Sequence, residues 1–483
     1  MKKIFYTVTI PLLVFFLLSS MNSKDSEWEY LFNGKDLNGW TSLQGTANFI
    51  VDNGEIIGIS KLNSLSTYLV TNEKFNDFIL EFEVYVSPGL NSGVQFRSLV
   101  YGDDHPRAGQ VYGYQCELDT SEFRSWSGGI YDQSRRDLFL YPLTRNEKGR
   151  NAFKNGFWNR IRVEAIGDNI KTWVNGIHCS NLIDKTSKNG FIGLQIHSIQ
   201  SKRDEGKVIR WRNIKILEKN LNDNRLKDSP NAIVINNIDN YLSPNEISKG
   251  WRFLWDGIST NGWRGAKIED FPENGWEIKD SILTVLSSDG KESQNGGDIV
   301  TVKKFSDFEL ELDFMISKGA NSGIKYFVDT ELYKGLGSSI GLEYQILDDR
   351  AHMDSNKKFK TLEYNPNSKK WEDFKKGTKK NRKVASLYDL IEAENLNEQR
   401  GKREVRPNTW HRARIIVKGG HVEHWLDNIK MLEFNRLSQT FKALVEYSKY
   451  SKWPGFGTIS EGHILLQDHG DKVSFKNIKV REF

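Results

Sequence analysis

The sequence predicts a mostly-β protein made of two antiparallel β-sandwiches in tandem. Three observations lead there. The chain repeats itself in order, and the repeated segments alternate apolar and polar residues with a period of two. An aromatic load of 14 Trp, 17 Tyr and 27 Phe, with 40 Gly and only 10 Pro, favours strands joined by tight turns. At 483 residues, 38 % hydrophobic and 27 % charged, the chain suits two globular domains rather than a disordered one. Its net charge of +5 is too small over this length to make nucleic acid an expected partner.

The chain opens with Lys2 and Lys3, an apolar run from Ile4 to Leu18, and the small polar stretch Ser19–Ser23. A basic start, an apolar core and small residues read as a signal peptide over residues 1–23, and the run is short for a permanent membrane span. The expectation is a periplasmic or secreted protein with no stable membrane anchor. Cys116 and Cys179 could pair in such a compartment, but two cysteines cannot staple a chain this size, so hydrophobic cores must hold it.

The repeat is read next. LFNGKDLNGW at Leu31–Trp40 returns as LWDGISTNGW at Leu254–Trp263. FNDFILEFEV (Phe75–Val84) returns 230 residues later as FSDFELELDF, as does GLNSGVQF (Gly89–Phe96) as GANSGIKY. WNRIRV at Trp158 matches WHRARI at Trp410, now 252 residues on, which places an insertion around residues 350–408. GLQIH (Gly193–His197) matches LLQDH (Leu465–His469), and NIKI at Asn213 matches NIKV at Asn477. The copies are set at 27–218 and 251–483. The Asn- and Asp-rich stretch 219–250 between them reads as a linker, with a short helix at its end, because Ser243, Pro244 and Glu246 have N-cap, first-turn and N3 spacing before Gly250. Helical periods also appear at Ser386–Glu394 and Arg436–Ser448. The Lys-rich stretch Lys357–Lys383 reads as a solvated loop or a lid.

Within each copy Phe78, Leu80, Phe82 and Val84 share one strand face, and Phe308–Phe314 repeats the pattern. On other strands the second face is polar. Val94 and Phe96 leave Gln95 and Arg97 together; Tyr114, Cys116 and Leu118 leave Gln115, Glu117 and Asp119; Leu194 and Ile196 leave Gln195 and His197. The second copy offers Lys325, then Glu343 and Gln345, then Gln467 and His469. A solvated outer face is the ordinary reason for such alternation. Here the positions recur in both copies as long amides, carboxylates and imidazoles, which suit a saccharide whose hydroxyls want donors and acceptors. His421 and His424 stand three apart on a strand and point to opposite faces, so they do not chelate together, and His424 between Val422 and Leu426 reads as a core histidine.

LFNGKDLNGW, the NSG turn, RSWSGGIYD at Arg124–Asp132, VEHWLDN at Val422–Asn428 and HILLQDHGDKVSFKNIKV at His463–Val480 resemble the 3-keto-disaccharide hydrolase domain family. The likeness covers nearly all of 31–217 and 251–483. It implies a concanavalin A-like lectin/glucanase jelly roll in each copy and cleavage of glycosides oxidised at C3 by a partner sugar 3-oxidoreductase. A C3 ketone acidifies the C2 proton, so such a site needs a base, an oxyanion stabiliser and an acid. Glu343 or His469 is the expected base or acid, with Lys325, Gln345 and Gln467 on the oxyanion and hydroxyls. The first-copy counterparts are Glu117 and His197, with Arg97, Gln115 and Gln195. Tyr131 and Asp132, matching Tyr388 and Asp389, are expected to border the sites. No cofactor is required by the pattern, and a divalent cation is compatible with it. The competing reading is a non-catalytic tandem carbohydrate-binding protein on the same fold.

Overall fold

The computed structural model describes residues 27–352, 358–365, 370–378, 380–393 and 405–483. The signal-peptide reading of 1–23 lies outside the described residues. Among those described, no helix is long and apolar enough to cross a membrane.

Each copy is a jelly-roll sandwich of two antiparallel sheets. In the first, the larger sheet centres on Phe78–Val86, flanked by Asn159–Ile166 and Val208–Leu217, and the smaller on Asn91–Val100, flanked by Val111–Asp119 and Phe191–Ile196. The second copy repeats this with Phe308–Ile316 between His411–Lys418 and Val473–Glu482, and Asn321–Val328 between Leu342–Leu347 and His463–Leu466. The alternation that predicts these strands also builds the core. Phe78, Leu80, Phe82 and Val84 meet Val94, Phe96, Tyr114, Cys116 and Leu194, all at most 1 % exposed. Outward on the larger sheets, carboxylates face arginines: Glu81 bonds Arg160 and Arg162, and Asp313 bonds Arg412. That outer face is lined with ion pairs.

The linker region departs from its reading. Its helix, Pro244–Ser248, forms with Ser243 and Glu246 in a reciprocal capping box. Upstream, however, Val234–Asn236 pairs in parallel with Ile177–Ile183, so the segment adds an edge strand to the first copy. The apolar triplet Ile233–Ile235 drives this, amid Asn and Asp that mask it. Residues 386–393 form turns and a Leu387–Ile391 bridge instead of a helix, whereas Gln439–Glu446 is helical as its period predicts. The Lys-rich stretch contains the paired strands Lys358–Asn365 and Lys370–Thr378 rather than a loop; its Phe, Tyr and Trp supply strand propensity among the lysines. Both cysteines are free and buried.

Candidate functional site

The second copy carries a cavity of about 400 Å³ on the outer face of its smaller sheet. Strand register puts Lys325 directly opposite Glu343, and Lys325 opposite Leu465 on the other side. Lys325, Glu343, Gln345, Gln467, His469 and Tyr388 all line the cavity, so six of the seven second-copy residues named from sequence converge there. Gly323 makes room: a Cβ there would stand 2.6 Å from Glu343 Oε1. Gly93 does the same for Gln115 in the first copy, at 2.4 Å from its Cδ. That accounts for the repeated NSG, which opens a strand in both copies rather than making a turn.

The charges on the cavity floor are held in place. Lys325 Nζ donates to Ser338 Oγ at 2.5 Å and to the Ser339 carbonyl at 3.1 Å, and lies 3.6 Å from Glu343. Ser338 in turn donates to Asp298 at 2.5 Å. Burial pushes the Glu343 carboxyl above the usual range; Lys325, Lys449 and His469 oppose that rise. Burial lowers Lys449. Gln345 donates to Asn321 at 3.0 Å, yet the Oε1 atoms of Gln345 and Gln467 have no hydrogen-bond partner among the described residues. These are acceptors waiting for donors. Asp389 is not in the cavity wall: it pairs with Arg382 at 3.0 Å and stands 3.7 Å from Lys449, which is in the wall.

Sequence reasoning missed Lys449, Tyr450 and Trp453, and Glu292 and Tyr333 as well. The first three arrive on a segment the first copy lacks. Seven residues, 184–190, join Ile177–Ile183 to Phe191–Ile196, whereas 27 residues, 436–462, join the matching strands of the second copy. The signal was present, since Trp158 lies 252 residues before its match while His197 lies 272 before His469.

The first copy keeps the same strand face but wires it differently. Gln115 stands where Glu343 stands, and Glu117 where Gln345 stands, so carboxylate and amide have exchanged places along the strand. Gln95 donates to Gln115 at 2.6 Å, and Gln115 to Glu117 at 2.9 Å. Glu117 also accepts from Asn91 and from Arg124, which reaches Asp119 too. Gln195 donates to Tyr68, and Tyr131 lies opposite Gln115 as Tyr388 lies against Glu343. Three expected residues fall elsewhere. Arg97 has a left-handed backbone (φ 46°) at a bulge, which turns its side chain off the Gln95 face to bond Asp77 and the carbonyls of Asn76, Ala165 and Gly167. Asp132 shares the Tyr114 side of its strand and is buried under Arg135 and Arg136. His197 sits exposed past its strand end, its Nδ1 against the Ser198 carbonyl. His424, by contrast, is the buried core residue its neighbours predict, bonded to Tyr326 and Ala385 and held down at about 4 by burial. Among the described residues, His421, Glu423 and Glu433 could hold a cation together; none of them lines the cavity.

The sequence profile of the 3-keto-alpha-glucoside-1,2-lyase-like domain matches residues 27–217 and 250–481. The chain belongs to this family. Over 253 residues it is 34 % identical to the 3-keto-disaccharide hydrolase of Bacteroides thetaiotaomicron, covering 48 % of this chain and 78 % of that one. A Parabacteroides distasonis protein assigned provisionally as a glycosyl hydrolase is 28 % identical, with a TM-score of 0.41, over 51 % of this chain and all of that one. The carbohydrate-binding module CBM66 of Bacillus subtilis is similar at 14 % identity and a TM-score of 0.26, over 37 % of this chain and 96 % of that one. Family membership and the curated relative make this a glycosidase-type, carbohydrate-active protein.

Proposed function

We propose that the second copy cleaves the glycosidic bond of sugars carrying a ketone at C3, and that it does so by elimination followed by hydration. Glu343 removes the C2 proton, and the electron pair moves into an enediolate whose oxygen carries the charge. Lys325 stabilises that oxygen, held in place by its bonds to Ser338 and the Ser339 carbonyl. Collapse expels the C1 substituent, which takes a proton from Lys449 or His469. Water then adds across the new double bond, so the sum is one glycoside plus one water giving a 3-keto sugar and an alcohol.

One observation carries the reading: a buried carboxyl raised above its usual range beside an ammonium, 3.6 Å away, on the floor of a cavity. A carboxylate made more basic by burial suits α-proton abstraction, and this chemistry does without the close carboxylate pair of a retaining glycosidase. An oxidoreductase must supply the C3 ketone. We further propose that the reaction runs outside the cytoplasm. The first copy receives no turnover in this proposal, because Glu117 is already committed to Arg124 and Asn91. The test is turnover of a 3-keto-glucoside by single variants. Glu343→Gln is expected to lose about 10²–10⁴-fold in kcat, with Glu117→Gln within threefold of the parent. Comparable losses in both would refute the assignment to the second copy.

A further inference from the structure

The cavity has a second wall that the elimination chemistry does not use. Trp453 and Tyr333 meet edge to face, with ring centroids 5.1 Å apart, and both line the cavity half-exposed. Leu336 beside them is 92 % exposed. Tyr333 donates to the Leu336 carbonyl at 2.8 Å, which ties ring and strap together. Lys452 Nζ lies 5.1 Å from the Trp453 ring centroid and Lys267 Nζ 5.4 Å from that of Tyr333, and the wall adjoins the polar floor, since Leu336 is followed by Gly337 and then Ser338, which holds Lys325.

The wall is also prearranged. Trp453 comes from the 436–462 segment, and that segment is fastened at several points. Arg436 donates to the carbonyls of Gly457 and Ile459 at 3.0 Å, Ser438 caps the helix Gln439–Glu446, and Tyr450 stacks on Phe456 at 4.1 Å. A half-exposed tryptophan held this firmly loses little freedom when a ligand covers it. The floor already takes the reacting sugar through Glu343, Lys325 and the unpartnered oxygens of Gln345 and Gln467. A substituent of that sugar is therefore what reaches the rings.

We infer that Trp453 and Tyr333 form a leaving-group subsite selecting substituents with a flat apolar face, either an aryl ring or the C–H face of a second pyranose. This rests on the proposed site and names its substrate class. Stacking of this kind contributes about 0.5–1.5 kcal/mol, or about two- to tenfold in a rate constant. The first copy has no counterpart of the segment, so the selectivity belongs to the second copy alone.

The experiment compares phenyl, glucosyl and methyl 3-keto-glucosides on the full chain and on Trp453→Ala, reading kcat/KM for each. Intrinsic leaving-group reactivity cancels in the ratio of variant to parent. The expected result is a two- to tenfold loss for the phenyl and glucosyl substrates with methyl unchanged; equal losses for all three would overturn the subsite. Trp453→Phe should restore most of the preference, which a merely structural role would not predict. A parallel titration follows phenyl and methyl glucosides, unoxidised, by calorimetry. Tighter phenyl binding that Trp453→Ala removes supports the subsite even if no keto-glycoside is turned over, and equal binding of the two glucosides by the parent chain counts against it.

Discussion

Replacing Lys325 by methionine removes the ammonium from beside Glu343 while keeping the buried stem. The two charges are 3.6 Å apart and their side chains are each 7 % exposed. At that distance Coulomb's law gives about 1 kcal/mol at the dielectric of water and about 4–5 kcal/mol at an effective value near 20. At ~1.4 kcal/mol per pH unit, this is about one to three units. The sign follows from the forces on the carboxyl. Burial raises it and Lys325 opposes, so losing Lys325 raises it further. Glu343 acts as base only when ionised, and the acidic limb of kcat/KM against pH must therefore move up by that amount. The plateau falls as well, by about 10²–10³, because the oxyanion has lost its donor. The assay is a pH series with 4-nitrophenyl 3-keto-glucoside, and Lys325→Arg should keep the limb near its original place. An unmoved acidic limb in Lys325→Met would refute Glu343 as the base.

Other consequences can be measured without substrate. The raised Glu343 carboxyl favours the folded state below its unfolded value near 4.5 and loses that contribution as pH rises through its folded value. Glu343→Gln should accordingly melt higher than the parent at pH 7, by about 2–4 °C for each kcal/mol recovered, with the difference shrinking as pH falls through the folded value and gone below pH 4.5. Arg97→Met strands the carbonyls of Asn76, Ala165 and Gly167 and should cost the first copy about 2–4 kcal/mol in denaturant unfolding; a loss under about 0.5 would contradict its structural role. Burial pushes both thiols up, Cys179 to about 12, so neither should react with a thiol reagent in the native chain. Without reductant, two should react after denaturation, whereas none would if they were paired.

Strand faces were legible because alternation with a period of two is a direct imprint of burial. It placed Lys325, Glu343, Gln345 and Gln467 on one face, as found. The same rule misplaced Arg97, since one residue at positive φ breaks the period, and no local pattern marks where a bulge falls. Phe327 has the same conformation (φ 51°) at the matching place in the second copy, with the Arg436 guanidinium 3.9 Å from its ring centroid. A chemically unlike residue at an identical bulge hides the position from comparison of the copies. Lys449 and Trp453 were out of reach for another reason: a segment between strands carries no period that says which face it will cover. The exchange of Gln115 and Glu117 for Glu343 and Gln345 was readable in the alignment, but its meaning rests on Arg124, which only the folded chain brings to Glu117.

The central claim is elimination through C2, and its most direct measurement uses a 3-keto-glucoside deuterated at C2 beside its unoxidised parent glycoside, with and without a chelator. The account predicts that only the keto substrate is cleaved, with the deuterium lost to water. Cleavage of the unoxidised glycoside, or release of a keto sugar with its C2 deuterium retained, would contradict it.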